Sequence, residues 1–388
     1  MPLRRLIHVS VAALVTVFLS CRDAEIRAQS PEPVVLRGHL SDVLMAQFVP
    51  HSEQAVTASA DETARLWDLK TGRELRQYLG HTGPVYCLAV SSDGRTLVTG
   101  SQDNSVRVWD IPLVKPILRV SGHDQGASGI ALSPDGRFLL STGADRTVRF
   151  WDAVRLQTQA AAIGPSSEVP DRTAAVARAG HVAEVVASAY RADGMMFATA
   201  DAAGEIRLWS PYLDTPTAVI GNHAGGVTGL AFHPNNQQVF SVGADGTLRA
   251  WQLTSTPAKE IAAASPIRDL LVVPNQMQAI TTADDLSIRV WDLATGQPIR
   301  ELPKSTAPVT SLALAANGGL LGAGDETGRI RVMNFADGAD RGSLAGHEGP
   351  VRDIAILADN ARMITAGQDG TVRLWQVDRK STRLNSSH

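Results

Sequence analysis

Histidine, aspartate, serine and threonine recur together along this 388-residue chain, and such side chains could ligate a metal ion or carry out general acid–base catalysis. Six of the ten histidines each stand 28 residues before a tryptophan, while His8, His51, His233 and His388 are scattered. No histidines or cysteines have the spacing of a metal-ligand set. The sequence therefore predicts no metal site.

Six aspartates each stand six residues before a tryptophan: Asp61, Asp103, Asp145, Asp245, Asp285 and Asp369. They could suggest calcium binding or general-acid chemistry, but each lies in a predicted tight turn, where an aspartate commonly bonds its own backbone. The chain also lacks CxxCH, GxSxG and phosphate-loop motifs, because GAGDETG at 322–328 is a turn that no helix follows. We interpret the aspartates as structural and expect neither catalysis nor a cofactor.

These residues recur within a repeated unit that is clearest at 80–110, GHTGPVYCLAVSSDGRTLVTGSQDNSVRVWD. Three short β-rich runs in it are separated by the turns SSDG and QDNS, which predicts an antiparallel meander. Its third strand ends at a tryptophan. Eight such strands carry Trp67, Trp109, Trp151, Trp209, Trp251, Trp291, Met333 and Trp375, spaced by 40 or 42 residues except for one step of 58.

The unit resembles the WD40 repeat, and the resemblance covers about residues 34–377. It implies an all-β fold, an eight-bladed WD40-type β-propeller of four-stranded antiparallel blades. In that family a His, a Ser or Thr, an Asp and a Trp of each blade form a buried hydrogen-bonded tetrad. Five repeats have the full set: His39, Thr57, Asp61, Trp67; His81, Thr99, Asp103, Trp109; His123, Ser141, Asp145, Trp151; His223, Ser241, Asp245, Trp251; and His347, Thr365, Asp369, Trp375.

Three repeats depart from the tetrad pattern. The fourth keeps His181, Thr199 and Trp209, but its Asp position holds an alanine and Asp201 stands two residues earlier. The sixth has no histidine, and the seventh has lost all four residues. We therefore expect blades six and seven to open most easily.

The resemblance also implies that each sequence repeat supplies the outer strand of one blade and three strands of the next. Residues 33–39 form a lone outer strand at the start, while the last repeat supplies only three strands and stops near residue 377. We expect residues 34–37 to pair beside residues 371–377, which closes the ring and removes exposed sheet edges.

WD40 propellers usually bind partners on their top face, through residues at the start of the first strand and before the turn Asp. The matching positions are Asp42, Leu44, Pro84, Tyr86, Glu184, Arg268, Pro350 and Arg352, with Gln102, Asp284, Glu326 and Gln368 from the turns. Tyr86, Arg268 and Arg352 stand out because Tyr and Arg are frequent interface anchors. Blades two and eight both adjoin blade one, so Tyr86 and Arg352 could share one patch.

An arginine stands two residues before each third-strand tryptophan and before Met333, which we call the marker residues: Arg65, Arg107, Arg149, Arg207, Arg249, Arg289, Arg331 and Arg373. An eightfold ring of arginines could attract anions. Because the position recurs even in the degenerate repeats, we interpret it as a packing and hydrogen-bonding element.

Both ends of the chain are predicted to lie outside the propeller, which we assign to residues 31–377. Residues 1–30 form a targeting segment, in which two arginines precede an apolar run at 6–19 that is too short to span a bilayer. Acylation of Cys21 and cleavage after Ala28 are the two processing alternatives. Residues 378–388 resemble a translated sequencing adapter and are excluded from the fold, which leaves open whether the natural chain continues.

Composition limits the partners that the propeller can bind. Residues 31–377 carry a net charge of about −7 without basic clusters, which argues against nucleic acid and anionic membrane surfaces. Cys87 is the one cysteine in this region and is expected to be buried, so no intrachain disulfide forms. Sixteen extra residues within 153–173 predict a tolerated surface loop or, alternatively, a contact for a specific partner.

These observations predict a bacterial, monomeric, non-catalytic scaffold, exported to the periplasm or envelope, that docks a protein or peptide on its top face. The alternative is an N-terminal sensing or scaffold module of a longer exported protein with a redox or hydrolase domain beyond residue 377. Binding of a small molecule or glycan at the channel mouth would need an aromatic platform, which Tyr86 alone does not supply.

Overall fold

The computed structural model describes residues 33–112, 115–152, 168–169, 175–213, 215–233, 235–253, 259–263, 265–273 and 276–377. These residues form an all-β structure without helices, in which eight antiparallel sheets are arranged in a ring. The predicted eight-bladed propeller is thereby confirmed. The targeting segment with Cys21, most of the 153–173 insertion and residues 378–388 lie outside the described part of the chain. No described segment forms a helix of the length and apolarity needed to cross a membrane.

Each blade is a meander whose first strand is innermost. The strands of blades 1 to 4 are β2 Val43–Phe48, β3 Gln54–Ser59, β4 Ala64–Asp68 and β5 Arg73–Tyr78; β6 Val85–Val90, β7 Thr96–Ser101, β8 Ser105–Asp110 and β9 Lys115–Ser121; β10 Ala127–Leu132, β11 Phe138–Gly143, β12 Thr147–Asp152 and β14 Ala175–Ala179; and β15 Val185–Tyr190, β16 Phe197–Asp201, β17 Glu205–Trp209 and β18 Ala218–Asn222. Those of blades 5 to 8 are β19 Val227–Phe232, β20 Gln238–Gly243, β21 Thr247–Gln252 and β22 Lys259–Ala262; β23 Ile267–Val272, β24 Gln278–Ala283, β25 Ile288–Asp292 and β26 Pro298–Leu302; β27 Val309–Leu314, β28 Leu320–Asp325, β29 Arg329–Asn334 and β30 Asp340–Ala345; and β31 Val351–Ile356, β32 Arg362–Gly367, β33 Val372–Gln376 and β1 Val34–Leu36.

The ring closes where the first strand of the chain joins the last blade. β1 pairs antiparallel with β33, with Val34 opposite Leu374 and Leu36 opposite Val372. The predicted closure by residues 34–37 is therefore confirmed. Across the same boundary, Arg362 of blade 8 forms a two-pronged ion pair with Glu53 of blade 1.

Apolar packing between neighbouring blades holds the ring together. Eight clusters of buried side chains each join one blade to the next, including the blade 8–blade 1 boundary. Trp67 packs there against residues of blade 8, and Trp109 packs against blade 1. Because a single meander would leave both of its faces exposed, the blades stabilise one another as a ring.

A β-bulge interrupts the first strand of every blade, near its start. The pairing with the second strand skips one residue in each case: Leu44, Tyr86, Ser128, Val186, Thr228, Arg268, Thr310 and Arg352. A bulge leaves its extra residue unpaired and redirects that residue's side chain. The first strands also contact one another around the ring and so line its central channel.

Blade 2 has a fifth strand in addition to the expected four. β13, Glu168–Val169, comes from the insertion after blade 3 and pairs parallel with β9 opposite Arg119 and Val120. These two residues are the part of the 153–173 insertion that the structure describes, and they cover the outer edge of blade 2.

Candidate functional site: the top face and its buried supports

A buried hydrogen-bonded tetrad lies beneath the top face of blade 1. His39 Nδ1 is 2.8 Å from Asp61 Oδ2, and His39 Nε2 is 2.7 Å from Thr57 Oγ1. Trp67 Nε1 donates to the same Oγ1 at 2.8 Å. Because the Asp61 carboxylate can only accept, His39 Nδ1 carries the proton and donates it to Asp61, and Nε2 then accepts from the Thr57 hydroxyl. The tetrad thus ties the loop before the first strand to the second and third strands.

The four other repeats with the full sequence set form the same arrangement. The distances from histidine Nδ1 to aspartate are 2.9–3.0 Å, and those from Nε2 to the hydroxyl are 2.7–2.8 Å. The tryptophan N–H donates to that hydroxyl at 2.8–3.0 Å. The backbone N–H after the histidine also donates to the aspartate in each of these blades. The turns of five blades are therefore fixed by the same set of contacts.

The pKa of the carboxyl group is lowered in five tetrads and that of the histidine in three: Asp61, Asp103, Asp145, Asp245 and Asp369, and His81, His181 and His223. Burial alone would raise the pKa of Asp61, but hydrogen bonds from His39 and Thr63 hold that pKa well below its usual value. Burial lowers the pKa of His81, although Asp103 opposes the shift. Because both ring nitrogens of each tetrad histidine are hydrogen-bonded within the blade, these histidines support the fold.

Blade 4 completes a tetrad by a route that sequence spacing missed. Asp201, at the end of β16, lies 3.1 Å from His181 Nδ1, while Thr199 Oγ1 is 2.7 Å from both His181 Nε2 and Trp209 Nε1. The expectation that blade 4 lacks the set is therefore wrong, and six described blades have it. The physical reason is that a carboxylate at the end of the second strand reaches the same imidazole as one in the turn. Asp201 also accepts the backbone N–H of Glu205 at 2.9 Å.

His181, Asp201 and Glu205 place potential metal-ligand atoms within 4.8 Å of one another. Both nitrogens of His181 are already hydrogen-bonded, and Glu205 forms an ion pair with Arg207. A metal ion would have to break the tetrad, so this cluster belongs to the blade support.

Blades 6 and 7 lack the tetrad, as expected. In blade 6, Trp291 Nε1 still donates to Thr281 Oγ1 at 2.8 Å, while Asp285 bonds Ser287 and Arg289. In blade 7, Asp325 occupies the position of Asp201, but Ser305 stands where the histidine would be. Asp325 bonds Thr327 and the backbone N–H of Arg329 instead.

The arginines two residues before the markers bond within or beside their own blades. Arg65 Nη1 contacts Glu74 Oε2 at 2.6 Å, and Arg107 Nη2 donates to the carbonyl of Gly80 at 2.6 Å. Arg373 lies 3.3 Å from the tetrad Asp369. These contacts agree with a packing and hydrogen-bonding element.

The structure brings the predicted docking positions together in pairs at the top face. The N–H of Gln102 donates to the carbonyl of Pro84 at 3.0 Å, and that of Gln368 does the same to Pro350. Equivalent bonds join the residue before the turn Asp to the residue before the first strand in other blades, including the carbonyls of Asp42 and Glu184. Gln102, Gln368 and Glu184 have exposed side chains, whereas Asp42 and Leu44 are half-buried.

The two predicted arginine anchors form ion pairs between blades. Arg352 Nη2 lies 3.2 Å from Asp42 Oδ2 across the closing boundary. Arg268 contacts Asp284 of its own blade and Glu326 of blade 7, the latter at 3.1 Å. Blades 6 to 8 and the adjoining edge of blade 1 therefore present paired charges at the channel mouth.

Blades 1, 2 and 4 present apolar side chains instead. Tyr86 is 39% exposed at its bulge, and Val186 is 46% exposed at the equivalent bulge of blade 4. Leu40 and Val182, each directly after a tetrad histidine, are 89% and 63% exposed. Sequence reasoning missed Leu40, Val182 and Val186, although an apolar residue directly after a Gly-His pair was the available signal.

Two carboxyl groups stand in the channel wall, one residue beyond the bulges of blades 6 and 8. Asp353 accepts the N–H of Ala46 at 3.0 Å across the closing boundary and that of Ile354 at 2.9 Å. Burial raises the pKa of Asp353 to about 7, and the charge of Asp269 adds to the rise. Burial also raises the pKa of Asp269. Neither residue was singled out from the sequence.

Comparisons with known proteins agree with this geometry. The model of the WD domain, G-beta repeat, matches residues 32–68, 72–110, 114–152, 214–252 and 338–376. The chain is 25% identical over 177 residues to Target of rapamycin complex subunit wat1 of Schizosaccharomyces pombe, covering 44% of this chain and 56% of that protein. It is 28% identical over 218 residues to the guanine nucleotide-binding protein subunit beta of Oryza sativa subsp. indica, covering 51% and 57%.

The chain therefore matches just over half the length of these two curated relatives. A solved structure, the computationally designed Ika8 protein, superposes with a TM-score of 0.76 at 23% identity, covering 88% of this chain and 98% of that one, which supports the fold alone. WD40 propellers generally act as non-catalytic scaffolds that bind other proteins. The matched repeats, the tetrads and the closed ring of eight blades together show that this chain belongs to the WD40 repeat family.

Proposed function

We propose that this protein is a non-catalytic docking platform that binds a protein or peptide through the top face of its propeller. The observation that carries the proposal is that, in the described part of the chain, large exposed apolar side chains are confined to a few blades of the top face, above turns that hydrogen-bonded tetrads fix in place. Six tetrads hold the top-face turns beneath exposed apolar groups on blades 1, 2 and 4. Preorganised apolar groups bind a partner at low entropic cost.

Tyr86 is the proposed central anchor. Its ring projects from a bulge whose neighbouring turn is fixed by the bond from Gln102 N to Pro84 O. An aromatic group that needs little ordering on binding contributes more affinity than a mobile one. Arg352 and Arg268 are proposed to orient a polar segment of the partner, because their ion pairs keep them in fixed positions.

The test is affinity capture from a cell-envelope extract with purified protein on beads, read by mass spectrometry. The triple variant Tyr86→Ala, Val182→Ser, Val186→Ser removes top-face apolar groups without touching a tetrad. The matched control is Tyr212→Ser, Leu213→Ser, which alters exposed apolar residues between β17 and β18 on the opposite face. We expect the wild type and the control variant to capture the same protein by direct binding, and the triple variant to fail to capture it. Equal capture by all three proteins would refute top-face docking.

We also propose that the protein is exported in a bacterium and works in the periplasm or envelope as a monomer. The proposal rests on the paired arginines and apolar run of residues 1–30, and Cys21 offers a site for a lipid anchor. Fusion of residues 1–40 to alkaline phosphatase should give an active, exported enzyme. Globomycin sensitivity that disappears in Cys21→Ser would indicate acylation, whereas an inactive cytoplasmic fusion would contradict export.

A further inference from the structure

An open cleft of about 520 Å³ lies at the rim of blade 7, one of the two blades that lack a tetrad. It is bounded by the loop before β27, by the turn between β28 and β29, and by the outer strand β30. The residues that line it and enter the argument are Lys304, Asp325, Arg329, Arg331, Arg341 and Ser343.

Blade 7 differs from the tetrad blades in the loop before its first strand. In five of the six tetrad blades the residue before the histidine is a glycine, which in blades 1 and 8 lies close to both the guanidinium of the third-strand arginine and the indole. A Cβ built on Gly38 would lie 3.1 Å from Trp67, and one on Gly346 would lie 3.2 Å from Trp375. In blade 7 the corresponding residues are Lys304 and Met333, so no indole meets the loop. Open space remains beside the outer strand, where a Cβ on Gly342 would meet nothing within 4 Å.

Some charged side chains at the cleft are already hydrogen-bonded within the blade. Arg331 bonds Asp340 and the carbonyls of Pro303 and Lys304 at 2.8–2.9 Å, so it has little capacity left for a ligand. Asp325 likewise directs Oδ1 to Thr327 and the backbone.

Two cations at the cleft remain available for binding. Among the described residues, the guanidinium of Arg329 makes neither a hydrogen bond nor an ion pair, and its side chain is exposed. Lys304 is 61% exposed and lies 3.9 Å from Glu301, which is a weak pairing. Four cationic and two anionic side chains line the cleft, on a domain whose net charge is negative.

We propose that this cleft binds an oxyanion, a carboxylate or a phosphate group, carried by a peptide segment. Its volume exceeds that of one small ion and fits a few residues of chain. Arg329 presents a planar fork suited to an oxyanion, and Lys304 supplies a point charge beside it. This site lies apart from the apolar top-face groups of blades 1, 2 and 4, and it does not depend on the docking proposed for them.

The test measures the fluorescence anisotropy of two labelled peptides as full-length protein is added at low salt. One peptide is a capped hexaglutamate, and the other is a capped hexapeptide whose only charged residue is one phosphoserine. The variant Lys304→Gln, Arg329→Gln removes both available charges, and Ser343→Trp fills the cleft without changing its charge. Arg95→Gln, an exposed arginine of blade 2, is the matched control.

We expect saturable binding of at least one peptide, weakened tenfold or more by both cleft variants and by 300 mM salt, and unchanged in the control. The peptide that binds identifies carboxylate or phosphate as the anion. Circular dichroism confirms that each variant is folded. Absence of saturable binding to wild type, or wild-type affinity in either folded cleft variant, would overturn the proposal.

Discussion

Replacing Asp353 by asparagine should destabilise this propeller at acidic pH and stabilise it at alkaline pH. Asp353 accepts two backbone N–H groups in the channel wall, one of them from Ala46 across the closing boundary. Burial raises its pKa from 3.8 to about 7. A carboxyl group whose folded pKa is raised costs stability as it ionises, so the contribution of Asp353 to stability falls between about pH 4 and pH 7 and stays low above that.

The size of the effect follows from the shift. A rise of about 3 pH units corresponds to an upper limit of ~4 kcal/mol at 1.36 kcal/mol per unit. Asparagine keeps one acceptor for the N–H of Ala46 but loses the second, which costs about 1 kcal/mol. Asp353→Asn should therefore destabilise the protein by about 1 kcal/mol at pH 4.5 and stabilise it by up to ~3 kcal/mol at pH 8.

Urea denaturation followed by tryptophan fluorescence at pH 4.5, 6 and 8 would measure the change. Asp359→Asn is the control in the same blade. Burial alone would raise the pKa of Asp359, but hydrogen bonds, including one from Arg362, lower it overall. The stabilising contribution of Asp359 is therefore lost at low pH, which is the opposite of the behaviour expected for Asp353. If the free-energy difference between Asp353→Asn and wild type stayed constant from pH 4.5 to 8, the reasoning about this buried carboxyl group would be wrong.

Three further predictions follow from the blades and their supports. Asp201→Ala should lower the free energy of unfolding by about 1–3 kcal/mol, measured by heat or urea, because the N–H of His181 loses its acceptor. Adding Ala203→Asp to that variant tests whether an aspartate at the usual turn position restores the tetrad. Wild-type stability of Asp201→Ala would contradict the displaced tetrad. Amide hydrogen exchange should be fastest in the strands of blades 6 and 7, which lack tetrads, and slowest exchange there would refute their proposed weakness. Burial raises the pKa of Cys87 to about 12, so iodoacetamide at pH 8 should modify it only after denaturation; rapid reaction of the native protein would contradict its burial.

The contrast between blades 4 and 7 shows how far the tetrad could be predicted. Both repeats have an aspartate eight residues before the marker, Asp201 and Asp325, where other repeats have a small residue. Spacing alone treats both as departures. Three-dimensional packing separates them, because His181 is present to receive Asp201, whereas Ser305 leaves Asp325 to bond the local turn.

The docking residues show a similar division. The sequence positions of Arg268 and Arg352 predict the top face, but their contacts depend on which carboxylates the neighbouring blades bring near. Asp42 and Arg352 are separated by 310 residues and meet because the ring closes. Leu40 and Val182 become candidate docking residues only because the structure shows that their apolar side chains are exposed, which the sequence does not reveal.

The amino-acid sequence by itself determined the number of blades and the antiparallel meander within each, and its resemblance to the WD40 family implied the strand that closes the ring. These properties depend on local turn chemistry and on a fixed spacing of buried residues, which each repeat carries within about 40 residues. Only the tertiary structure decided the tetrad of blade 4, the inter-blade ion pairs, the pKa of Asp353 and the cleft of blade 7. Each of those depends on how close groups from different strands or blades lie in space. Electrostatic energy and burial are set by that spatial arrangement and not by separation along the chain.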